Sequence, residues 1–299
     1  MSKPRVHVTG RLPVEVERAL AASFELDDVP EGAEGIVSLL TTHVDAELLD
    51  RAGPQLRIVA NYAVGVNNVD LDEASRRGLV VANTPDVLTS ATAELAVGLM
   101  LALLRRIAEG DRFVRRRDEW TFSLEFMLGT SLAGKRLLVV GAGRIGRETA
   151  RLAAAFGAEP AFAGRQDDLQ ALLGEADVVS LHVPLTDDTR HLVDAAALAS
   201  MPTSAVLVNT SRGPVVDEHA LVEALRAGSI AGAALDVFER EPEVEDGLLS
   251  LENVVLTPHL GSATRDTRVA MGMLCVDALR AVLLEHRRPA NAVVYPGAP

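Results

Sequence analysis

The chain has 299 residues, 48% hydrophobic and 24% charged, which suffices for two domains with real cores and argues against disorder. Its 42 Asp and Glu outnumber 29 Lys and Arg, and the formal net charge of −13 repels polyanions, so no nucleic-acid partner is expected. A single cysteine, Cys275, excludes a disulfide framework and a cysteine-rich metal site; no metal is expected, and a reducing, cytoplasmic setting fits.

Met1-Ser2-Lys3-Pro4 lead directly into a strand at Arg5–Val8, with no apolar signal region. A helix over 13–22 has Pro at its start. An apolar run at 35–40 reads as a second strand, followed by a helix at 45–52, a third strand at 56–61 and a short fourth at 80–82. Residues 96–104 are apolar all round, too short to cross a bilayer, and flanked by Glu94 and Arg105-Arg106. They read as a buried helix, and no membrane partner is expected. Arg112, Arg115, Arg116 and Arg117 read most simply as a solvated helix face.

The most informative stretch is 135–146, KRLLVVGAGRIG. A buried strand runs into a glycine turn and then into an Ala-rich helix over 147–156. Unpaired N–H groups and the positive dipole end of such a helix suit a pyrophosphate. Gly141 makes the tight turn, Gly143 lets backbone approach the phosphates, and Gly146 allows close helix–strand packing. The next strand, 159–163, ends in Gly164-Arg165-Gln166. NAD sites place a carboxylate at that tip, whereas NADP sites bring in Arg. Gly164 removes a side chain that would repel a 2′-phosphate, Arg165 offers a planar fork to bind one, and Arg144 can add a second charge. NADP(H) is therefore preferred over NAD(H). The alternative is that Asp167 or Asp168 takes the ribose role.

Later strands fall at 178–182, 205–209, 232–235 and 254–256, with helices starting near Asp167, Asp194 and Asp217. A long helix over 262–285 and an extended tail at 289–299 close the chain. The alternation implies an α/β protein with two doubly wound parallel-sheet domains. Residues 94–266 form the dinucleotide-binding domain, inserted into a substrate domain built from 1–93 and 267–299.

Three successive strand tips carry reactive residues. Arg212 follows the strand at 205–209 and can grip a carboxylate bidentately. Asp236 ends the next strand, where it can accept from a nicotinamide carboxamide or from an adjacent polar group. His259 follows the last strand. Reduction of a carbonyl needs a proton for its oxygen while hydride reaches its carbon, and a carboxylate beside an imidazole favours the imidazolium that can supply it. Glu241 and, two residues earlier, Glu239 are the candidates.

The segments 61–68 (NYAVGVNN), 83–89 (NTPDVLT), the glycine turn, 209–213, 236–242 and 257–261 together resemble the D-isomer-specific 2-hydroxyacid dehydrogenases over nearly the whole chain. Within that family the chain is most similar to the glyoxylate/hydroxypyruvate reductases. The resemblance implies a Rossmann cofactor domain inserted into a flavodoxin-like substrate domain, and reduction of a small 2-oxo acid to the D-2-hydroxy acid. It implies Arg212 on the substrate carboxylate, helped by Val64 and Gly65 N–H groups, with Glu241 pairing His259 as proton donor. Arg144, Ile145, Arg165, Gln166, Pro184, Thr210, Asp236 and Gly261 would line the cofactor. It also implies a homodimer formed through the region of the Arg cluster. Phe126, beside Glu125 and Met127, stands where close relatives carry a Trp reaching into the neighbouring subunit's site, which loosens the expected substrate selection. The alternatives are an NAD-linked dehydrogenase of another specificity and a nucleotide-sensing scaffold without catalysis.

Overall fold

The computed structural model describes residues 3–296, so the expected Met1-Ser2 start and the last three residues of the expected tail lie outside it. In chain order the first elements are β1 (Arg5–Val8), α1 (Val14–Ser23), β2 (Glu25–Asp27), β3 (Gly35–Ser38), α2 (Ala46–Ala52), β4 (Ile58–Asn61), α3 (Leu71–Arg76) and β5 (Val80–Ala82). Then come α4 (Thr89–Leu104), α5 (Ile107–Arg116), β6 (Arg136–Val140), α6 (Arg144–Ala155), β7 (Glu159–Ala163), α7 (Leu169–Leu173) and β8 (Val178–Leu181). The remainder is α8 (Ala195–Ser200), β9 (Val206–Asn209), α9 (Glu218–Arg226), β10 (Gly232–Leu235), α10 (Asp246–Leu249), β11 (Val254–Leu256), α11 (Arg265–Leu283) and β12 (Ala292–Val294).

Two compact units result, one from Met1–Leu88 with Ala263–Pro299 and one from Thr89–Ser262. The boundaries lie a few residues before 93/94 and 266/267. The reason is that α4 already begins at Thr89 and packs along its length on α6, β9 and β10. In the first unit the sheet order is β12-β5-β4-β3-β1-β2, a flavodoxin-like 2-1-3-4-5 arrangement with one added edge. That edge differs from the expected tail: β12 pairs antiparallel with β5. The short edge strand β2 is also new, because Glu25-Leu26-Asp27 carries no apolar run to announce it. In α3, Asp70 caps the helix by accepting from the Glu73 N–H.

The second unit has the order β11-β10-β9-β8-β6-β7, all parallel. Strands β6, β8, β9 and β10 are buried on both faces while the edge strand β7 is largely exposed, and successive side chains go to opposite layers. Leu137, Val139, Val178, Val206, Val208 and Ala234 pack with Met100 and Ala153 on one face. Leu138, Val140, Leu181, Leu207 and Leu235 pack with Leu198 and Leu221 on the other. Each fully buried aliphatic side chain contributes about 1.5–3 kcal/mol, so this double layer holds the sheet. Asp168, Asp194 and Asp217 each cap the following helix through a carboxylate–amide bond. Among the described residues no helix is long and apolar enough to cross a membrane, and no group of His, Cys, Asp and Glu could hold a metal.

Two backbone contacts fix the carboxyl ends of these strands. Gly141 has φ +103°, and a Cβ there would lie 2.7 Å from the His182 carbonyl oxygen. A Cβ on Gly213 would lie 1.9 Å from the Phe238 carbonyl carbon, so the turns after β9 and β10 touch backbone to backbone. Gly213→Ala should therefore lose on the order of 3 kcal/mol in urea unfolding, the upper end of the cost of overpacking.

His182 follows β8, its Nε2 2.9 Å from the Ser180 hydroxyl, and burial pushes the imidazole down to about 4. Above the ordinary value near 6.5 both folded and unfolded chains hold it neutral. As pH falls from there towards 4 the unfolded chain takes up a proton the native state refuses, so stability drops by on the order of 3 kcal/mol. Unfolding free energies measured from pH 7 to 4 should show this loss, and His182→Gln should flatten it.

Candidate active site

Parallel α/β sheets present ligands at the carboxyl ends of their strands, and the second unit gathers its chemistry there. After β9, Asn209 shapes the turn. Its Oδ1 accepts from the Ser211 N–H at 3.0 Å and the Ser211 hydroxyl at 2.8 Å, and its Nδ2 donates to the Arg212 carbonyl at 2.9 Å. The Arg212 guanidinium donates to the Ser211 carbonyl at 2.6 Å. Burial lowers its pKa from the usual arginine value, the nearby Glu241 carboxylate opposes that, and the group stays a cation.

His259 lies past β11 with φ +54°, a left-handed conformation that costs a non-glycine residue of order 1 kcal/mol. Asp236 holds it there. The Asp236 carbonyl accepts the His259 N–H at 2.8 Å, while its buried carboxylate accepts from the Thr257 hydroxyl at 2.6 Å, the Leu260 N–H at 2.7 Å and the Gly261 N–H at 2.8 Å. Of the two roles open to Asp236 in the sequence, the structure therefore shows the adjacent polar partners. The Gly261 N–H is committed to the same carboxylate.

The His259 ring places Nδ1 2.7 Å from Glu241 Oε2, and Glu241 Oε1 accepts from the Phe238 N–H at 3.0 Å. Burial works to raise the Glu241 carboxyl, but the net shift is downward. The His259 hydrogen bond and charge, the Phe238 N–H and the charge of Arg212 all favour the carboxylate. Arg212, Glu241 and His259 thus form one electrostatic cluster. Glu239, the other candidate, turns away to His191, with 2.6 Å between Oε1 and Nε2. Its N–H donates to the buried Glu218 carboxylate at 2.7 Å. Glu218 was hidden in the sequence because an acid in the first turn of a helix reads as a solvated dipole partner.

At the glycine turn Gly143 caps α6 with no side-chain hydrogen bond, and a Cβ at 143 would meet nothing within 4 Å. The approach to the helix N-terminus, with Arg144 and Ile145 in its first turn, is open. Gly146 packs so tightly that a Cβ would lie 2.1 Å from the Gly141 carbonyl. Thr210 Oγ1, beyond β9, is buried without a hydrogen-bond partner, as suits a site that receives a polar ligand. The Pro184 carbonyl accepts from the Thr189 hydroxyl at 2.6 Å, pinning the loop after β8. Gly164, Arg165 and Gln166 are exposed at the β7 tip. These residues fit a dinucleotide. Asp168 caps α7, its Oδ1 accepting from the Ala171 N–H at 3.1 Å.

In the first unit, the Val64 carbonyl accepts from Asn83 Nδ2 at 2.8 Å and the Gly65 carbonyl from Asn61 Nδ2 at 2.9 Å. The N–H groups of Val64 and Gly65 have no partner among the described residues, an arrangement suited to an anionic oxygen. The Arg cluster lies on and just after α5 as a solvated, ion-paired face: Arg112 and Arg116 meet Glu252, and Arg115 meets Asp111. Phe126 packs between Trp120, at 6.0 Å and stacked, and Phe113, at 5.4 Å and edge-on.

Residues 97–261 match the family described as D-isomer specific 2-hydroxyacid dehydrogenase, NAD binding domain. The chain is 43% identical to the glyoxylate reductase of Thermococcus litoralis, with 91% of each chain covered. It is 44% identical to that of Korarchaeum cryptofilum, covering 93% of this chain and 92% of the relative. Among solved structures it is similar to the NADPH-dependent glyoxylate/hydroxypyruvate reductase of Sinorhizobium meliloti in complex with NADP and malonate. That match has TM-score 0.87, 35% identity and full coverage of both chains. With these matches, the glycine turn and the Arg212, Glu241 and His259 cluster in place, the chain belongs to the D-isomer-specific 2-hydroxyacid dehydrogenase family, a family of nicotinamide-dependent oxidoreductases.

Proposed function

We propose that the protein reduces a small 2-oxo acid of the glyoxylate or hydroxypyruvate type to the D-2-hydroxy acid, using NADPH in preference to NADH. The observation that carries this reading is the His259–Glu241 pair at 2.7 Å within the electrostatic reach of Arg212. Because Nδ1 is committed to Glu241, the proton for the substrate carbonyl leaves from Nε2. The nicotinamide, when bound, supplies the hydride to C2. Glu241 holds the imidazole in orientation, and Arg212 binds the substrate carboxylate as a fork. The Arg212 cation also favours the negative charge that grows on the carbonyl oxygen.

The substrate class is supported by the relatives, which are named glyoxylate reductases. Preference for NADPH is supported by Gly164 and Arg165 at the β7 tip and by the Sinorhizobium meliloti enzyme, which is NADPH-dependent. A homodimer is supported by the exposed apolar side chains Ile107, Val114, Trp120, Phe122, Leu124 and Leu128, which a lone chain would leave in water.

Steady-state kinetics with glyoxylate, hydroxypyruvate, pyruvate and phenylpyruvate, each with NADPH and NADH, test the substrate and cofactor assignments. We expect kcat/KM to be at least about tenfold higher with NADPH, corresponding to ~1.4 kcal/mol. A preference for NADH across the panel removes the reading of Arg165. His259→Gln should lower kcat by about 10²–10⁴-fold, the usual worth of a positioned acid, and leave the NADPH dissociation constant within about twofold. A His259→Gln enzyme that still turns over at the parent rate would remove His259 as the proton donor.

A further inference from the structure

The turn after β7 carries a feature that a simple Arg-for-phosphate reading does not use. The Gly164 N–H donates to Asp167 Oδ2 at 2.7 Å, and the Asp167 N–H returns towards the Gly164 carbonyl at 3.4 Å. A Cβ at position 164 would sit 3.5 Å from the same carboxylate oxygen. The carboxylate therefore folds back over the strand tip, the place that meets the adenosine ribose in dinucleotide-binding folds. Its neighbour Asp168 faces the other way to cap α7. On the same turn the exposed Arg165 makes no hydrogen bond or ion pair among the described residues. One turn thus presents an uncommitted guanidinium and a carboxylate already seated on the backbone donor that an incoming anion would seek.

We propose that Asp167 is a cofactor-selectivity residue that opposes Arg165, holding the preference for NADPH below what the arginine alone would give. The inference rests on the reading that this unit takes a nicotinamide dinucleotide at the glycine turn. A 2′-phosphate approaching Arg165 meets the like charge of Asp167 and finds the Gly164 N–H occupied. A 2′-hydroxyl meets neither obstacle, and it can donate to Asp167 Oδ1. Arg165 and Asp167 therefore act on the two cofactors in opposite directions, and the balance between them sets the ratio.

Two substitutions separate charge from occupancy. Asp167→Asn keeps an acceptor for the Gly164 N–H and removes only the charge; Asp167→Ala removes both. Dissociation constants for NADPH and NADH, read from the fluorescence of the reduced nicotinamide without substrate, give the selectivity directly. We expect Asp167→Asn to move the ratio of the two constants about tenfold towards NADPH, with a gain that shrinks as salt is raised. Asp167→Ala should move it at least as far. A ratio that moves less than about twofold in both variants, or moves towards NADH, overturns the proposal. The parent enzyme tests the cofactor reading separately. A parent that prefers NADH but whose variants shift tenfold towards NADPH keeps the role of Asp167 and refutes the parent's NADPH preference. A parent that prefers NADPH with an unmoved ratio does the reverse. Thermal unfolding of each variant confirms that the turn has not simply melted.

Discussion

The buried carboxylate of Asp236 organises the carboxyl end of the second sheet. It lies at the tip of β10 and gathers a hydroxyl and two amides from the turn after β11, while its own carbonyl takes the His259 N–H. A buried acid is costly unless its oxygens are satisfied, and here one hydroxyl and two amide donors satisfy it. The same bonds hold His259 in a left-handed conformation that it would not choose alone. The imidazole is thus placed by hydrogen bonding in the next strand's turn, independently of the flexibility of its own side chain.

The neighbouring tip is placed by steric contact. Gly213 presses its Cα against the Phe238–Glu239 peptide, so the segment that begins with Arg212 and the segment that ends with Glu241 cannot slide past one another. Three adjacent parallel strands, β9, β10 and β11, therefore deliver Arg212, Glu241 and His259 through this backbone contact and through the hydrogen bonds of the Asn209 and Asp236 side chains. This matters in a chain of formal charge −13, because an anionic substrate is repelled by the whole and must be recovered locally. In the proposed reaction the Arg212 guanidinium would provide that local reversal, beside the Glu241–His259 pair.

Much of this could be read from residue order. The glycine turn, the alternating apolar strands of the second unit, and the three reactive tips are local patterns, and local patterns survive in sequence. The Asp caps at 194 and 217 were legible for the same reason. What stayed hidden depends on neighbours far along the chain. Asp236 shows its true partners only once Leu260 and Gly261 are brought beside it. Glu218 shows its bond to the Glu239 amide only when the start of α9 is brought beside the turn after β10. The edge strands β2 and β12 are short and polar or isolated, and an edge is defined by the strand it joins, not by its own periodicity.

Asp236, Glu239 and Glu241 are the first three carboxylates past β10, and chemistry alone does not distinguish them. Asp236 is buried and saturated by hydrogen bonds, so its charge is spent on architecture. Glu239 is drawn towards His191, and its amide is tied to Glu218. Glu241 alone remains about one-third exposed (34%) with one oxygen on an imidazole and a cation within range. The first two bonds make the third possible. With its amide and side chain both taken, Glu239 cannot compete for His259, and with Asp236 locked the imidazole cannot retreat from Glu241. Which acid meets the imidazole therefore depends less on the residue itself than on how completely its two neighbours are occupied.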